Sequence, residues 1–226
     1  MALLLTIDTA VETASVCLAQ DEKLLSFEIN TSSRDHAAWI QPAIKKMMEH
    51  SRRKFSELDA IAVSVGPGSY TGLRIGLSTA KGLCYALGVP LIAIGTLDMM
   101  AFAAARQYSH QQLLCPMIDA RRMEVFTAVF NQKLDKIVSP MALIIDGGTF
   151  SSMLETEKIL FFGNGAHKFS LLCKHPNALF APIAADASHL VSLSLAAFAE
   201  KRFADTAYCE PLYLKEFYSA IPKPLI

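Results

Sequence analysis

The sequence predicts an α/β protein with parallel strands, and three observations carry that expectation. Apolar runs of strand length alternate with segments of helical spacing; the run "LDAIAVSVG" is nearly continuously apolar, as a strand covered on both faces is; and glycine and proline fall where such units turn. Residues 2–7 form a buried-looking run ending at "DTA", after which "TASVCLAQ" alternates, "DEK" turns and "LLSFEIN" alternates again. Three antiparallel strands therefore open the chain. Beyond "TSSRDH" the spacing becomes helical through Trp39, Ile40, Ile44, Met47 and Met48, with Ser32 or Ser33 available as N-cap and Pro42 near the first turn. "LDAIAVSVG" then leads through a glycine loop into the helix "TGLRIGLSTAKGLCYALG", which Gly88 and Pro90 stop. "PLIAIGT" is the next strand and "LDMMAFAAARQY" the next helix, so the first 108 residues give βββαβαβα.

The second half opens with two alternating runs joined through "DARR". After them come a turn and helix start in "DGGTFSSMLE", a strand entering a glycine turn in "ILFFGNGA", and a long amphipathic helix in "ASHLVSLSLAAFAEKRF". No sequence repeat or low-complexity linker separates the halves, and the boundary near residue 108 rests on this pattern.

Composition narrows the function classes. Apolar residues make up 52% of 226 and charged ones 19%, an excess that leaves apolar surface for a partner. Basic and acidic residues number 21 each, so no global field draws the chain to nucleic acid or an anionic membrane, and RNA binding by this chain alone is disfavoured. Five widely spaced cysteines without a CxxC pair read as buried thiols of a reducing cytoplasm. "MALLLTIDTA" lacks a basic leader and a cleavage site, and the longest apolar run is broken by Pro90, Gly95, Thr96 and Asp98, so neither export nor membrane insertion is expected.

The loop "GPGSYTGLRIG" carries the main chemical question. A Walker loop needs lysine after its last glycine, but Gly72 is followed by Leu73; the dinucleotide pattern fails because Gly66, Gly68 and Gly72 give GxGxxxG. What survives is a strand, a glycine turn and a helix N-terminus with Ser69 and Thr71 as possible caps, open to an anion or to a partner carbonyl. In the helix, Gly72, Gly76 and Ala80 fall four apart and strip one face of bulk. Either the domain's own sheet or a second protein can approach it.

Taken in order, "LTIDTAVETASVCL", "GPGSYTGLRIGLSTAKGL", "VPLIAIGTL", "IDARRMEVF" and "PLYLK" resemble the TsaB (YeaZ) family across residues 3–215. The resemblance implies a two-lobed, actin-like (ribonuclease H-like, ASKHA) fold, with residues 1–108 as the first lobe and 109–226 as a smaller lobe of the same fold whose C-terminal helix returns. It implies a non-catalytic subunit that pairs with and activates the paralogue TsaD, together with the ATPase TsaE, in placing threonylcarbamoyl on adenosine 37 of tRNA. The implied partners are TsaD, TsaE, a second copy when alone, and tRNA through the complex. No cofactor is expected.

Pairing is expected through the helices after residues 36 and 71, at His36, Trp39, Ile40, Thr71, Gly72, Leu73, Arg74, Gly76, Leu77 and Ala80. Where the catalytic paralogue carries an HxxxH metal pair, this chain has Thr96 and Met100, poor ligands for a hard metal or zinc. That contradicts a metallopeptidase reading. The alternative is an actin-like ATPase or small-molecule kinase using Asp8, Thr9, Thr13, Gly66, Gly68 and Ser69 as weak nucleotide contacts, although Ala10 replaces the usual glycine of the first phosphate turn. Asp8 could equally cap its strand and orient the loop. Asp119 opens the second lobe, with Arg121 and Arg122 beside it as contacts to a partner or to tRNA phosphate. "DGGT" (Asp146–Thr149) fits a turn with Thr149 as N-cap better than a second phosphate loop. His167, Cys173 and His175 match no zinc spacing, and Ser64, Ser69 and Ser78 have no histidine and acid at hydrolase spacing. The family's terminal "PxYLR" stands here as "PLYLK", with Lys215 forgoing arginine's bidentate grip.

Overall fold

The computed structural model describes residues 1–32, 35–108 and 112–215. Strands β1 (Leu3–Asp8), β2 (Ala14–Gln20) and β3 (Lys23–Asn30) form the antiparallel meander expected from their alternation. Next come α1 (His36–His50), β4 (Ala60–Ser64), α2 (Tyr70–Leu87), β5 (Leu91–Ile94) and α3 (Thr96–Gln107). β4 pairs in parallel with β1, and β5 with β4, giving the order β3-β2-β1-β4-β5. β1 and β4 are buried along their whole length, which is why they read as unbroken apolar runs.

The second sheet repeats this plan with shorter helices. β6 (Leu113–Asp119), β7 (Glu124–Phe130) and β8 (Lys136–Ile144) are antiparallel; α4 (Ser151–Leu154), β9 (Ile159–Phe162), α5 (Ala166–Leu172) and β10 (Ala178–Ala181) follow, in the order β10-β9-β6-β7-β8. Helix α6 (Leu190–Ala199) then crosses back to the first lobe.

Two helical layers enclose the first sheet. On one face Leu5, Ile7 and Val16 meet Ile44 and Met47 of α1 and Leu77 of α2; on the other Leu4, Ala62 and Ile92 meet Met99 of α3 and Leu190 and Ala197 of α6. The α3 face also reaches the second sheet through Leu97, Met100, Ile118 and Phe162. Behind α6 the chain follows the first lobe as far as Leu212: Ala204 bridges Leu91, Lys81 Nζ donates to the carbonyls of Ala207 and Cys209 at 3.0 and 3.1 Å, and Leu212 N donates to Val65 O at 2.7 Å.

Several local expectations change. Asp35 stands at the N-cap position of α1 without a side-chain capping bond, and Ser33 lies outside the described residues. Pro42 sits in the second turn, on the exposed side, where its missing N–H costs one helical bond. α6 is ten residues long, shorter than the long amphipathic helix expected, and buries Leu190, Val191, Ser194 and Ala197. Cys209 is only half-buried; the other four cysteines are buried. No described helix is long and apolar enough to cross a membrane.

Ser194, fully buried on α6, has a hydroxyl with no hydrogen-bond partner among the described residues. Removing an unsatisfied buried polar group relieves its desolvation, and alanine is the better helix former. Ser194→Ala should therefore stabilise the protein by about 1 kcal/mol, seen as a melting temperature roughly 2–4 °C higher in thermal unfolding.

Candidate functional site

The glycine loop leaves β4 at Ser64, passes Gly66 at φ 113° and the cis Gly66–Pro67 bond, and enters α2 at its N-cap Ser69. Ser69 Oγ accepts from Gly72 N at 3.2 Å, and Ser69 N donates to Ala10 O at 2.7 Å. The small residues are needed because the β1–β2 turn lies directly on them. A Cβ on Gly68 would sit 2.3 Å from Ala10 O, on Gly72 2.0 Å from Thr9 O, and on Gly76 2.3 Å from Thr9 Oγ1. Thr9 Oγ1 in turn donates to Gly72 O at 2.7 Å. On the loop's other side a Cβ on Gly66 would meet Leu212 O at 2.8 Å. The cradle is thus lined by this chain's own backbone, and three of its N–H groups are engaged within the chain, Ser69 N by Ala10 O, Gly72 N by Ser69 Oγ and Gly66 N by Thr96 Oγ1. Gly66, Gly68, Ser69 and Thr9 come together in an interlock between loop and turn.

Asp8 belongs to the same interlock. It is 1% exposed, and its Oδ1 accepts from Ser64 Oγ at 2.5 Å and from Ala10 N at 3.1 Å. Burial pushes the Asp8 carboxyl up to about 6, aided by the charge of Asp186 and opposed by the bonds from Ser64 and Ala10. Through the bond from Ala10 N it orients the turn from beneath. Ser64 escaped notice as its partner because the two residues are joined only by the parallel pairing of β1 and β4.

The cleft between the lobes has a volume of about 180 Å³ and is lined by Val11, Glu12 and Thr13, by Thr96 and Met100, and by Gly163, Asn164 and Ile183. Ligand pockets for drug-sized molecules run to about 300–1,000 Å³, so this space is small for a nucleotide. Its lining contains a carboxylate but no lysine or arginine to meet phosphate. Thr96 accepts from Gly66 N at 3.1 Å, and Met100 packs over Gly163. Among the described residues no group of three His, Cys, Asp or Glu could hold a metal.

In the second lobe, Asp119 ends β6 as Asp8 ends β1, and each carboxylate accepts from the N–H two residues on. Asp119, unlike Asp8, is exposed and ion-paired with Lys168 at 2.8 Å. Burial works against its ionisation, but Lys168 and the Arg121 N–H hold its carboxyl below the usual range. Lys168 was not singled out by the sequence reading; no linear spacing links it to Asp119. Asp146 closes its turn by accepting from Gly148 N and Thr149 Oγ1, while Thr149 Oγ1 accepts from Asp146 N. Thr149 therefore serves the turn and does not cap α4, whose N-cap is Phe150. His167 is exposed, Cys173 is buried, and His175 accepts from Asn177 N, three environments that do not converge. Lys215 ion-pairs with Glu124, so the carboxylate it grips is in this chain.

The expected pairing residues divide sharply by exposure. Ile40, Leu73, Leu77 and Ala80 are in the first-lobe core, Gly72 and Gly76 hold the β1–β2 turn, and buried His36 lies 3.4 Å from Asn30. These seven are removed from the surface by internal packing. Thr71 and Arg74 remain exposed and Trp39 half-buried; Arg74 stacks on the Tyr70 ring at 4.0 Å and donates to Tyr213 Oη at 3.1 Å.

A family model described as TsaD, tRNA N6-adenosine threonylcarbamoyltransferase, matches residues 29–218. The chain is 29% identical to the tRNA threonylcarbamoyladenosine biosynthesis protein TsaB of Bacillus subtilis, over 71% of this chain and 70% of that one. It is 28% identical to the Haemophilus influenzae protein of the same name over 94% and 93%, and 36% identical to that of Escherichia coli over 57% and 55%. In that last match the chain spans about half the length of its relative. The solved structure of YeaZ from Pseudomonas aeruginosa superposes with a TM-score of 0.81 at 24% identity, covering 95% of this chain and 100% of that one, which establishes the shared fold. The chain belongs to the TsaB (YeaZ) family, within the larger group that the TsaD family model describes.

Proposed function

We propose that this chain is a non-catalytic subunit of the cytoplasmic machinery that makes threonylcarbamoyladenosine in tRNA. It pairs with a TsaD-type paralogue, acts with an ATPase of the TsaE type, forms a homodimer when alone, and meets tRNA through the complex. One observation carries the reading: the β1–β2 turn at Thr9 and Ala10 lies directly on the glycine loop, with Ser69 N donating to Ala10 O and no room for even a methyl group at Gly68, Gly72 or Gly76. A subunit without chemistry of its own acts by binding one conformation of its partner more tightly than another.

The surface for pairing is the outer side of α1 and α2, which pack side by side. On α2 it presents Thr71, Arg74, Ser78, Gly82, Tyr85 and Ala86, with Tyr85 88% exposed. Gly82 is the informative residue: it lies inside a helix, where glycine costs about 1 kcal/mol relative to alanine, and beyond its own turn of helix no described residue comes within 4 Å of its Cβ position. Close approach of a second protein would account for it. Gly82→Arg should leave the monomer folded and shift light-scattering mass from dimer, or from the complex with TsaD, to monomer. Wild-type association in that variant, or no wild-type association at micromolar concentration, would count against the proposal.

A further inference from the structure

We propose that the β6–β7 turn is a phosphate clasp for an RNA backbone, with the guanidiniums of Arg121 and Arg122 as its two forks. The choice of RNA rests on the proposed place of the chain in tRNA modification; the clasp rests on the geometry of the turn. Both residues lie in the left-handed region, at φ 69° and 48°. Consecutive positions of that kind in a hairpin suit Asn-Gly or Asp-Gly, and two arginines are a poor choice for the backbone. A local rule broken in this way points to a role for the side chains.

The backbone beneath them is held from every side. Arg121 N donates to Asp119 Oδ1 at 2.7 Å and Glu124 N to Arg121 O at 3.1 Å. Lys168 Nζ donates to Asp119 Oδ1, Arg122 O and Glu124 O at 2.8, 2.9 and 2.5 Å. Asp119 N donates to Asn164 Oδ1 at 2.9 Å, tying the turn to the mouth of the cleft. Neither guanidinium has a hydrogen-bond or ion-pair partner among the described residues, and both residues are exposed. The neighbouring acids are already matched, Asp119 to Lys168 and Glu124 to Lys215. The chain is neutral as a whole, yet this turn carries two uncompensated charges on a fixed frame.

Guanidinium forks match phosphate oxygens bidentately, and adjacent Cα atoms about 3.8 Å apart place two forks within reach of one strand. Such contacts position a nucleic acid without reading its sequence. An acidic protein segment offers similar oxygens but fewer of them in regular succession, so RNA is the better match.

The test is fluorescence anisotropy of the full chain, alone and in complex with TsaD, with an unmodified tRNA transcript over roughly 25–150 mM KCl, where two single-strand phosphate contacts contribute about −1.4 to the slope of log K against log salt. The double variant Arg121→Asn, Arg122→Gly should lose that contribution and bind at least several-fold more weakly, with a melting temperature equal to or above wild type. Lysine at both positions should keep most of the slope and lose part of the affinity. Four results would overturn the clasp: an unchanged slope in the Asn-Gly variant; a fall in its melting temperature, which makes the arginines structural; displacement of RNA by micromolar ATP or inorganic phosphate, which makes the turn a small-anion site; or loss of binding to TsaD or to a polyglutamate probe with RNA binding intact, which makes it a protein contact. Association of the wild-type chain with TsaD is read separately, so failure of the clasp and failure of the proposed function are distinguishable.

Discussion

Asp8→Asn is expected to stabilise this protein at pH 7 by up to about 3 kcal/mol, a figure that follows from a carboxyl raised from 3.8 to about 6 at 1.36 kcal/mol per unit. Both hydrogen bonds to Asp8 arrive at Oδ1, from Ser64 Oγ and Ala10 N, and an asparagine carbonyl can accept the same two. Because the folded-state value lies above the unfolded one, the wild type binds more protons folded than unfolded between those values. This contribution is fully present below pH 3.8 and is lost as pH rises through about 6. Melting curves of wild type and variant should therefore separate progressively from pH 4 to pH 6 and run parallel above it; taking the difference cancels carboxylates common to both. A carboxylate retained to meet magnesium or nucleotide would be told apart by calorimetry, because Asp8→Asn would then abolish binding of ATP and magnesium. A pH-independent difference near zero would refute the interlock assignment of Asp8.

The first lobe was legible because its helices are long and its signals local. The alternation of "TASVCLAQ", the unbroken run of "LDAIAVSVG" and the Gly88 stop each act over a few residues, and β2, β4 and the left-handed C-cap of α2 stand where they indicate. The second lobe repeats the same topology with its signals shortened. β8 contains Pro140, which reads as a break yet is tolerated on an edge strand; β10 is four residues long; and α5, at seven residues, is too short to show a helical period. The duplication is therefore carried by strand pairing and was invisible as sequence similarity.

The site was half legible for a related reason. Gly72, Gly76 and Ala80 correctly announce a face without bulk, but helical spacing says nothing about what fills it. The answer is Thr9, more than sixty residues earlier and in contact only through the sheet. Likewise the missing lysine after Gly72 excludes a Walker loop, whereas the positive finding, that Ser69 N of the loop donates to Ala10 O, depends on tertiary placement. Arg121 and Arg122 were visible as charges; their left-handed backbone, which makes them informative, was not.

Glycine-to-alanine changes at three positions of α2 should differ in sign, although the chemistry is identical. At Gly82 the new methyl meets open space and the helix gains about 1 kcal/mol from alanine's propensity, so melting temperature should rise. At Gly76 the methyl falls 2.3 Å from Thr9 Oγ1; that side chain can rotate, but only by giving up its bond to Gly72 O. At Gly72 it falls 2.0 Å from a backbone oxygen, Thr9 O, in a turn also anchored by Ser69 N to Ala10 O, so neither partner can yield without opening the interlock. Overpacking of this kind costs about 1–3 kcal/mol in cores that can adjust, and Gly72→Ala should reach or exceed the upper end, lowering the melting temperature by roughly 6 °C or more. The expected order of stability is Gly82→Ala, wild type, Gly76→Ala, Gly72→Ala. If Gly72→Ala melted with Gly82→Ala, the small face would not be filled from within and would be free for a partner after all. With the expected order, loss of pairing after a bulky change at Gly76 would reflect a damaged β1–β2 turn, and only the outward-facing Gly82 would report on the surface itself.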